Sequence, residues 1–346
     1  MSFEFCDYYW CYYENNISIG WLPSSEDTFL QRQNALSDEE SYKAILASSG
    51  LSKSHLVFPV FVSNSASLIK SMPGIAVTPI QRISQHIQSI ADSGISSIIV
   101  FGIPKSRDPI GSSAFDRKGI VQDAIREIKS SFGNAMSIAT DVCICQYNLT
   151  GHCGIVSKDC RVDNDATLKV LAKIAVSHVE AGADVVAPSA MMDGQVYAVK
   201  RELYSRRLDA SVLSFSAKHA SSLYAPFRSA TFAKITTQLD KSSYQVSYAN
   251  PRLALREIET DINEGADMVM IKPALTYLDL VRMVKNRFNY PVAVQNVSGE
   301  YAIIKAAAIQ GWINEEEWKV HSIASIKRAG ADKIISYFVL DVAKYL

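Results

Sequence analysis

A (β/α)8 TIM barrel preceded by an N-terminal arm, an α/β fold, is what this sequence predicts, and three observations carry that prediction. Eight short apolar or β-branched runs recur along the chain, amphipathic helical spacing fills most of the gaps, and one kind of helix-ending turn repeats. The runs fall at residues 55–62, 97–102, 137–144, 185–188, 212–216, 268–273, 291–298 and 333–338. Apolar residues return every three to four positions over 80–91, 166–181, 253–264 and 275–288, the spacing of one buried helix face. Asp92-Ser-Gly94, Ala181-Gly-Ala-Asp184, Glu264-Gly-Ala-Asp267 and Ala329-Gly-Ala-Asp332 stand where a helix ends and a strand begins, with glycine as the left-handed cap. No Gly-x-Gly-x-x-Gly loop follows the first run, which favours a closed barrel over an open doubly wound sheet. Residues 1–45 lack a period and mix aromatics with Asn, Ser, Glu and Pro. They read as an arm or subunit-contact segment, and 46–346 as one barrel domain.

Composition narrows the function. The 346 residues are 48% hydrophobic and 20% charged, with 35 Lys+Arg against 35 Asp+Glu, so no bulk basic surface is available for nucleic acid. No stretch reaches the roughly 18 uninterrupted apolar residues of a membrane span, and the aromatic, acidic start lacks a signal-peptide pattern. Six cysteines are too sparse for a disulfide scaffold; they read as thiols in a reducing cytoplasm.

In such a barrel the active site lies at the C-terminal strand ends, and two lysines end two runs: Lys218 in Val212-Leu-Ser-Phe-Ser-Ala-Lys218 and Lys272 in Met268-Val-Met-Ile-Lys272. Apolar surroundings and a like-charged neighbour both push an ammonium pKa down, so the pair is expected to yield two free amines able to attack ketones. A lone lysine there would more simply snorkel to solvent; a matched pair argues against that. The third run leads into Asp141-Val-Cys143-Ile-Cys145 and on to Gly151-His-Cys153. Period-two spacing puts Asp141, Cys143 and Cys145 on one face, and the Gly151 turn can return Cys153 to them. Three thiolates suit zinc with one position open; a closed site with His152 as fourth ligand, or unrelated buried thiols, are the competing readings. Cys6, Cys11 and Cys160 fit no ligand spacing. Arg228 in Tyr224-Ala-Pro-Phe-Arg228 offers a carboxylate fork, and the polar stretch 229–245, with Lys241 and Gln245, reads as a lid. Ser298, before a helix N-terminus, and Tyr337 complete the strand-end polar set.

These segments resemble the porphobilinogen synthase (5-aminolevulinate dehydratase) family over roughly residues 55–341. The most specific matches are Asp141-Val-Cys-Ile-Cys-Gln-Tyr147, Gly151-His-Cys-Gly154, Ala187-Pro-Ser-Ala-Met-Met-Asp-Gly194, Ser214-Phe-Ser-Ala-Lys218, Tyr224-Ala-Pro-Phe-Arg228, Met270-Ile-Lys-Pro-Ala274, Val297-Ser-Gly-Glu-Tyr301 and Ser325-Ile-Lys-Arg-Ala-Gly-Ala-Asp332. The resemblance implies condensation of two 5-aminolevulinate molecules to porphobilinogen on two Schiff-base lysines, Lys272 for the propionate side and Lys218 for the acetate side. It also implies zinc on Cys143, Cys145 and Cys153, with Asp141 and Ser189 beside the lysines. Arg228 and Lys241 match the acetate-side carboxylate ligands, Ser298 and Tyr337 the propionate-side ones. Glu257 matches a magnesium ligand at a subunit interface, and the family is usually octameric.

The chain departs from the family pattern at several points. Lys241 stands where arginine is usual, Gln295 where an aromatic is usual, Ala225 for glycine and Thr150 for histidine, and residues 1–45 do not match the family's arm. Two rival readings are a single-lysine aldolase-like enzyme and a zinc-containing homologue that binds without turnover.

Overall fold

Eight parallel strands close on themselves in the computed structural model, which describes residues 37–231, 233 and 235–346. They are β1 (Leu56–Ser63), β2 (Ser97–Gly102), β3 (Ser137–Val142), β4 (Val185–Pro188), β5 (Ser211–Lys218), β6 (Met268–Lys272), β7 (Val292–Gln295) and β8 (Lys333–Ile335). Each strand pairs with the next, and β8 returns to β1 through Leu56↔Ile334 and Val57↔Ile335. Barrel interior and helix layer cover both faces, so the strands are buried almost without alternation, as their continuous apolar runs require.

All eight expected runs are strands, and the differences lie at their ends. The run 137–144 stops at Val142, because the chain turns there: the backbone N–H groups of Tyr147 and Asn148 both donate to the Ile144 carbonyl at 2.9 Å. The period-two argument for the cysteines therefore fails, and a turn rather than a strand gathers them. The run 291–298 is strand only over Val292–Gln295, since Ser298 already opens a helix. β5 extends past 216 to Lys218.

Around the barrel run α1 (Asp38–Ser48), α2 (Ile83–Asp92), α3 (Ile120–Phe132), α4 (Asn164–Ala181), α5 (Gln195–Ser205), α6 (Ala225–Ala230), α7 (Pro251–Asn263), α8 (Leu278–Phe288), α9 (Ser298–Ile309), α10 (Glu315–Ala329) and α11 (Val339–Ala343). The repeated turns have the left-handed backbone their glycines allow, with φ of 79° at Gly94, 109° at Gly182, 96° at Gly265 and 120° at Gly330. α1 spans the boundary expected at 45/46. A Ser37/Glu40 capping box starts it, and Tyr42 and Leu46 bury its inner face, Tyr42 edge-on to Tyr345. The rest of the expected arm lies outside the described residues.

Candidate active site

One irregularity in the sheet sets up the chemistry. β5 and β6 pair as Val269↔Ser214, yet two residues on along β6 Ile271 meets Ala217, so β5 carries one extra residue. That bulge brings Lys218 level with Lys272; in regular register Ala217 would stand opposite Lys272. Neighbours at one level in a parallel sheet project to the same side, and both lysines are 8% exposed in one cavity of about 560 Å³ at the C-terminal strand ends. Their ammonium groups share the Phe215 ring, at 4.8 Å for Lys272 and 6.0 Å for Lys218.

The two amines nonetheless differ. Burial first, and the Lys218 charge second, lower the Lys272 pKa to about 7. Its Nζ donates to Gln295 Oε1 at 2.8 Å and lies 5.1 Å from the Tyr224 ring. For Lys218 the expected depression is corrected: burial disfavours its charge, but the fields of Cys153, Cys143, Cys145 and Asp141 outweigh that and raise its pKa. Its Nζ donates to the Ser189 carbonyl at 2.6 Å and lies 3.8 Å from Cys153 Sγ. Ser189 Oγ in turn donates to Asp141 Oδ1 at 2.6 Å, and Gln146 Nε2 to Asp141 Oδ2 at 3.1 Å.

Cys143, Cys145 and Cys153 are buried with their sulfurs mutually within 4.8 Å. Hydrogen bonds from Cys143 and Cys145, then the Lys218 and Lys241 ammonium groups, hold the Cys153 thiol well below its ordinary range against the effect of burial. Lys241 Nζ lies 3.7 Å from Cys153 Sγ. The donor set fits zinc: three soft thiols converge, and His152, the fourth ligand of the competing reading, lies outside that cluster with its ring nitrogens turned to hydroxyls. Nδ1 meets Tyr244 Oη at 3.0 Å and Nε2 meets Thr237 Oγ1 at 2.9 Å.

The predicted carboxylate-binding and lid residues line the same cavity. Arg228, Lys241 and Gln245 come from the lid side, Ser298 and Tyr337 from the ends of β7 and β8, and Tyr224 lies between them. Tyr337 Oη and Gln245 Oε1 are buried in this cavity without a hydrogen-bond partner among the described residues. Ser298 Oγ accepts from Phe227 N at 3.1 Å and donates to the Leu223 carbonyl at 3.2 Å, so it ties α9 to the turn before α6. Sequence reading missed several supporting groups. Phe215 floors both lysines. Glu300 accepts backbone N–H groups of Ala274, Leu275 and Val297 and so braces the chain after Lys272. Tyr244 holds the cysteine loop through His152 and Cys153 N. Gln295 was visible only as an oddity beside a motif, since no sequence pattern reveals a cross-strand hydrogen bond.

Comparison with known proteins fits this geometry. The family model for Delta-aminolevulinic acid dehydratase matches residues 30–345. The chain belongs to the delta-aminolevulinic acid dehydratase family. Among dehydratase-family relatives, the protein of that name from Archaeoglobus fulgidus is 46% identical over 301 residues, 86% of this chain and 92% of its own length. The one from Methanothermus sociabilis is 44% identical over 317 residues, covering 90% and 98%. The crystal structure of delta-aminolevulinic acid dehydratase (porphobilinogen synthase) from Toxoplasma gondii ME49, in complex with the reaction product porphobilinogen, aligns with a TM-score of 0.83 at 34% identity, covering 86% of each chain. In this dehydratase-family chain Cys143 reaches the cavity only through the thiol cluster, and Glu257 stands apart from both: it is half-buried on α7 and does not line the lysine cavity. Burial first and Asp193 second raise its pKa. No described helix is long and apolar enough to cross a membrane.

Proposed function

We propose that this chain is a porphobilinogen synthase, condensing two molecules of 5-aminolevulinate to porphobilinogen with loss of two waters, a step of tetrapyrrole biosynthesis. The observation that carries the proposal is the level pair of buried lysines, Lys218 and Lys272, in one cavity beside three convergent thiols. One lysine suffices for an aldolase-type imine; two in a shared cavity allow two ketones to be held at once.

Lys272, with its pKa near 7, supplies a substantial fraction of free amine at neutral pH and captures the first ketone as an imine. Lys218 captures the second. Proton removal beside its imine gives an enamine carbon that bonds to the Lys272 imine carbon, and the other substrate's amine attacks the Lys218 imine carbon to close the ring. Both lysine amines then leave and a ring proton is lost, the two waters having departed when the imines formed. Asp141, held by Ser189 and Gln146, is the carboxylate next to these events and the candidate to move protons. Arg228 and Lys241 offer cations to one substrate carboxylate, and Tyr337 Oη offers a free hydroxyl to the other, which Ser298 joins by turning its hydrogen away from the Leu223 carbonyl. Cys143, Cys145 and Cys153 would hold zinc, which supplies a Lewis acid and neutralises thiolate charge beside Lys218.

The reading extends to magnesium at Glu257, to an octamer and to the cytoplasm, each resting on family resemblance. Glu257 brings one carboxylate, so magnesium binding there needs further oxygen ligands. A colorimetric pyrrole assay with 5-aminolevulinate tests the activity. Turnover that a zinc chelator abolishes and added zinc restores is expected. Zinc content without turnover would instead identify a binding protein.

A further inference from the structure

We infer that Gln295 is a positioning residue for Lys272: its carboxamide oxygen fixes the Lys272 nitrogen for attack and then accepts the N–H of the imine formed there. This role rests on the reading of Lys272 as the first ketone-capturing amine. Gln295 is 2% exposed at the end of β7, and the pairing Ile271↔Val294 sets it beside Lys272 on the neighbouring strand. Nζ donates to Oε1 at 2.8 Å, the one oxygen that the described residues give it, while the Phe215 and Tyr224 rings lie at 4.8 and 5.1 Å.

The chemistry uses that single acceptor at two stages. In the free amine it binds one N–H and limits where the lone pair can point. When Nζ attacks the ketone carbon, both amine hydrogens leave with the carbonyl oxygen as water, and the C=N nitrogen takes one proton from solvent. The resulting iminium has one N–H, and Oε1 is positioned to accept it. A carboxylate at this place would hold the resting ammonium charged and withdraw the nucleophile. An aromatic ring would offer only a π face. The neutral amide stabilises the iminium while leaving the amine available near neutral pH.

The test reads Lys272 directly and without substrate, by reductive methylation with formaldehyde and borohydride and peptide mass mapping across a pH series on the full-length protein. Other charges facing Lys272 are Lys218 on β5, Asp141 on β3, Cys145 and Cys153 after β3, and Glu300 on α9, and all stay constant in the comparison. Gln295→Leu removes the acceptor and is expected to move the midpoint of Lys272 modification down by about one pH unit; Gln295→Glu moves it up by at least as much. Trapping of 5-aminolevulinate on Lys272 in a single turnover falls roughly tenfold in Gln295→Leu. Midpoints that stay in place in a folded Gln295→Leu or Gln295→Glu protein overturn the assignment. Opposed shifts without substrate trapping in the unsubstituted protein leave it standing and refute the synthase reading instead.

Discussion

Lys272 illustrates how one residue can be placed against the stability of its own fold. Its pKa falls from 10.5 to about 7 because the folded chain strips its ammonium of water and sets Lys218 beside it. Between those two values the unfolded chain binds more protons than the folded one, so stability rises with pH across that window, and the penalty is full below about pH 7. Lys272→Met should therefore abolish pyrrole formation yet stabilise the protein, by on the order of 5 kcal/mol at pH 6 and by little above pH 10. Thermal melts of both proteins at the two pH values check this. In the unsubstituted enzyme, kcat/KM should climb as pH rises through about 7, as Lys272 loses its proton. The lysine pair itself was legible in the sequence because each ends an apolar run, but the divergence of the two amines was not. It arises from Cys153, 65 residues from Lys218 in sequence and 3.8 Å from it in space.

At the scale of elements, the site depends on close approaches that few side chains permit. Gly299, in the first turn of α9, lies so near the turn Ser222–Tyr224 that an added Cβ would stand 2.5 Å from the Leu223 backbone. Gly299→Ala should push α9 away from that turn, with a loss of about 2 kcal/mol in stability. It should also raise the KM for 5-aminolevulinate, since Ser298 and Tyr224 lie on the two parting elements; urea melts and steady-state kinetics read the two effects. The helices and turns that frame these contacts were predictable from three-to-four spacing and glycine caps. The early end of β3 at Val142 was not, because Cys143-Ile-Cys145 looks as apolar as a strand while its backbone turns back on Ile144. The β5 bulge was equally hidden, since a one-residue offset leaves no mark on a run buried on both faces.

For the molecule as a whole, closure through β8 and β1 makes stability a property of the entire ring, and α1 adds to it from outside. Leu46 is fully buried among the core residues. Leu46→Ala should remove about 2–4 kcal/mol from unfolding while leaving kcat unchanged in the folded protein. Chemical denaturation followed by circular dichroism measures that difference. The barrel was legible because strands and helices alternate along nearly its whole length, whereas α1 was not, its apolar side being only Tyr42, Ile45 and Leu46. The central claim is that this ring carries two amines that capture two ketones in one cavity. Borohydride reduction in the presence of 5-aminolevulinate, followed by intact-mass and peptide mapping, tests it most directly. We predict one reduced adduct on Lys272 at limiting substrate and a second on Lys218 at saturation; adducts on other lysines, or none on Lys272, would contradict it.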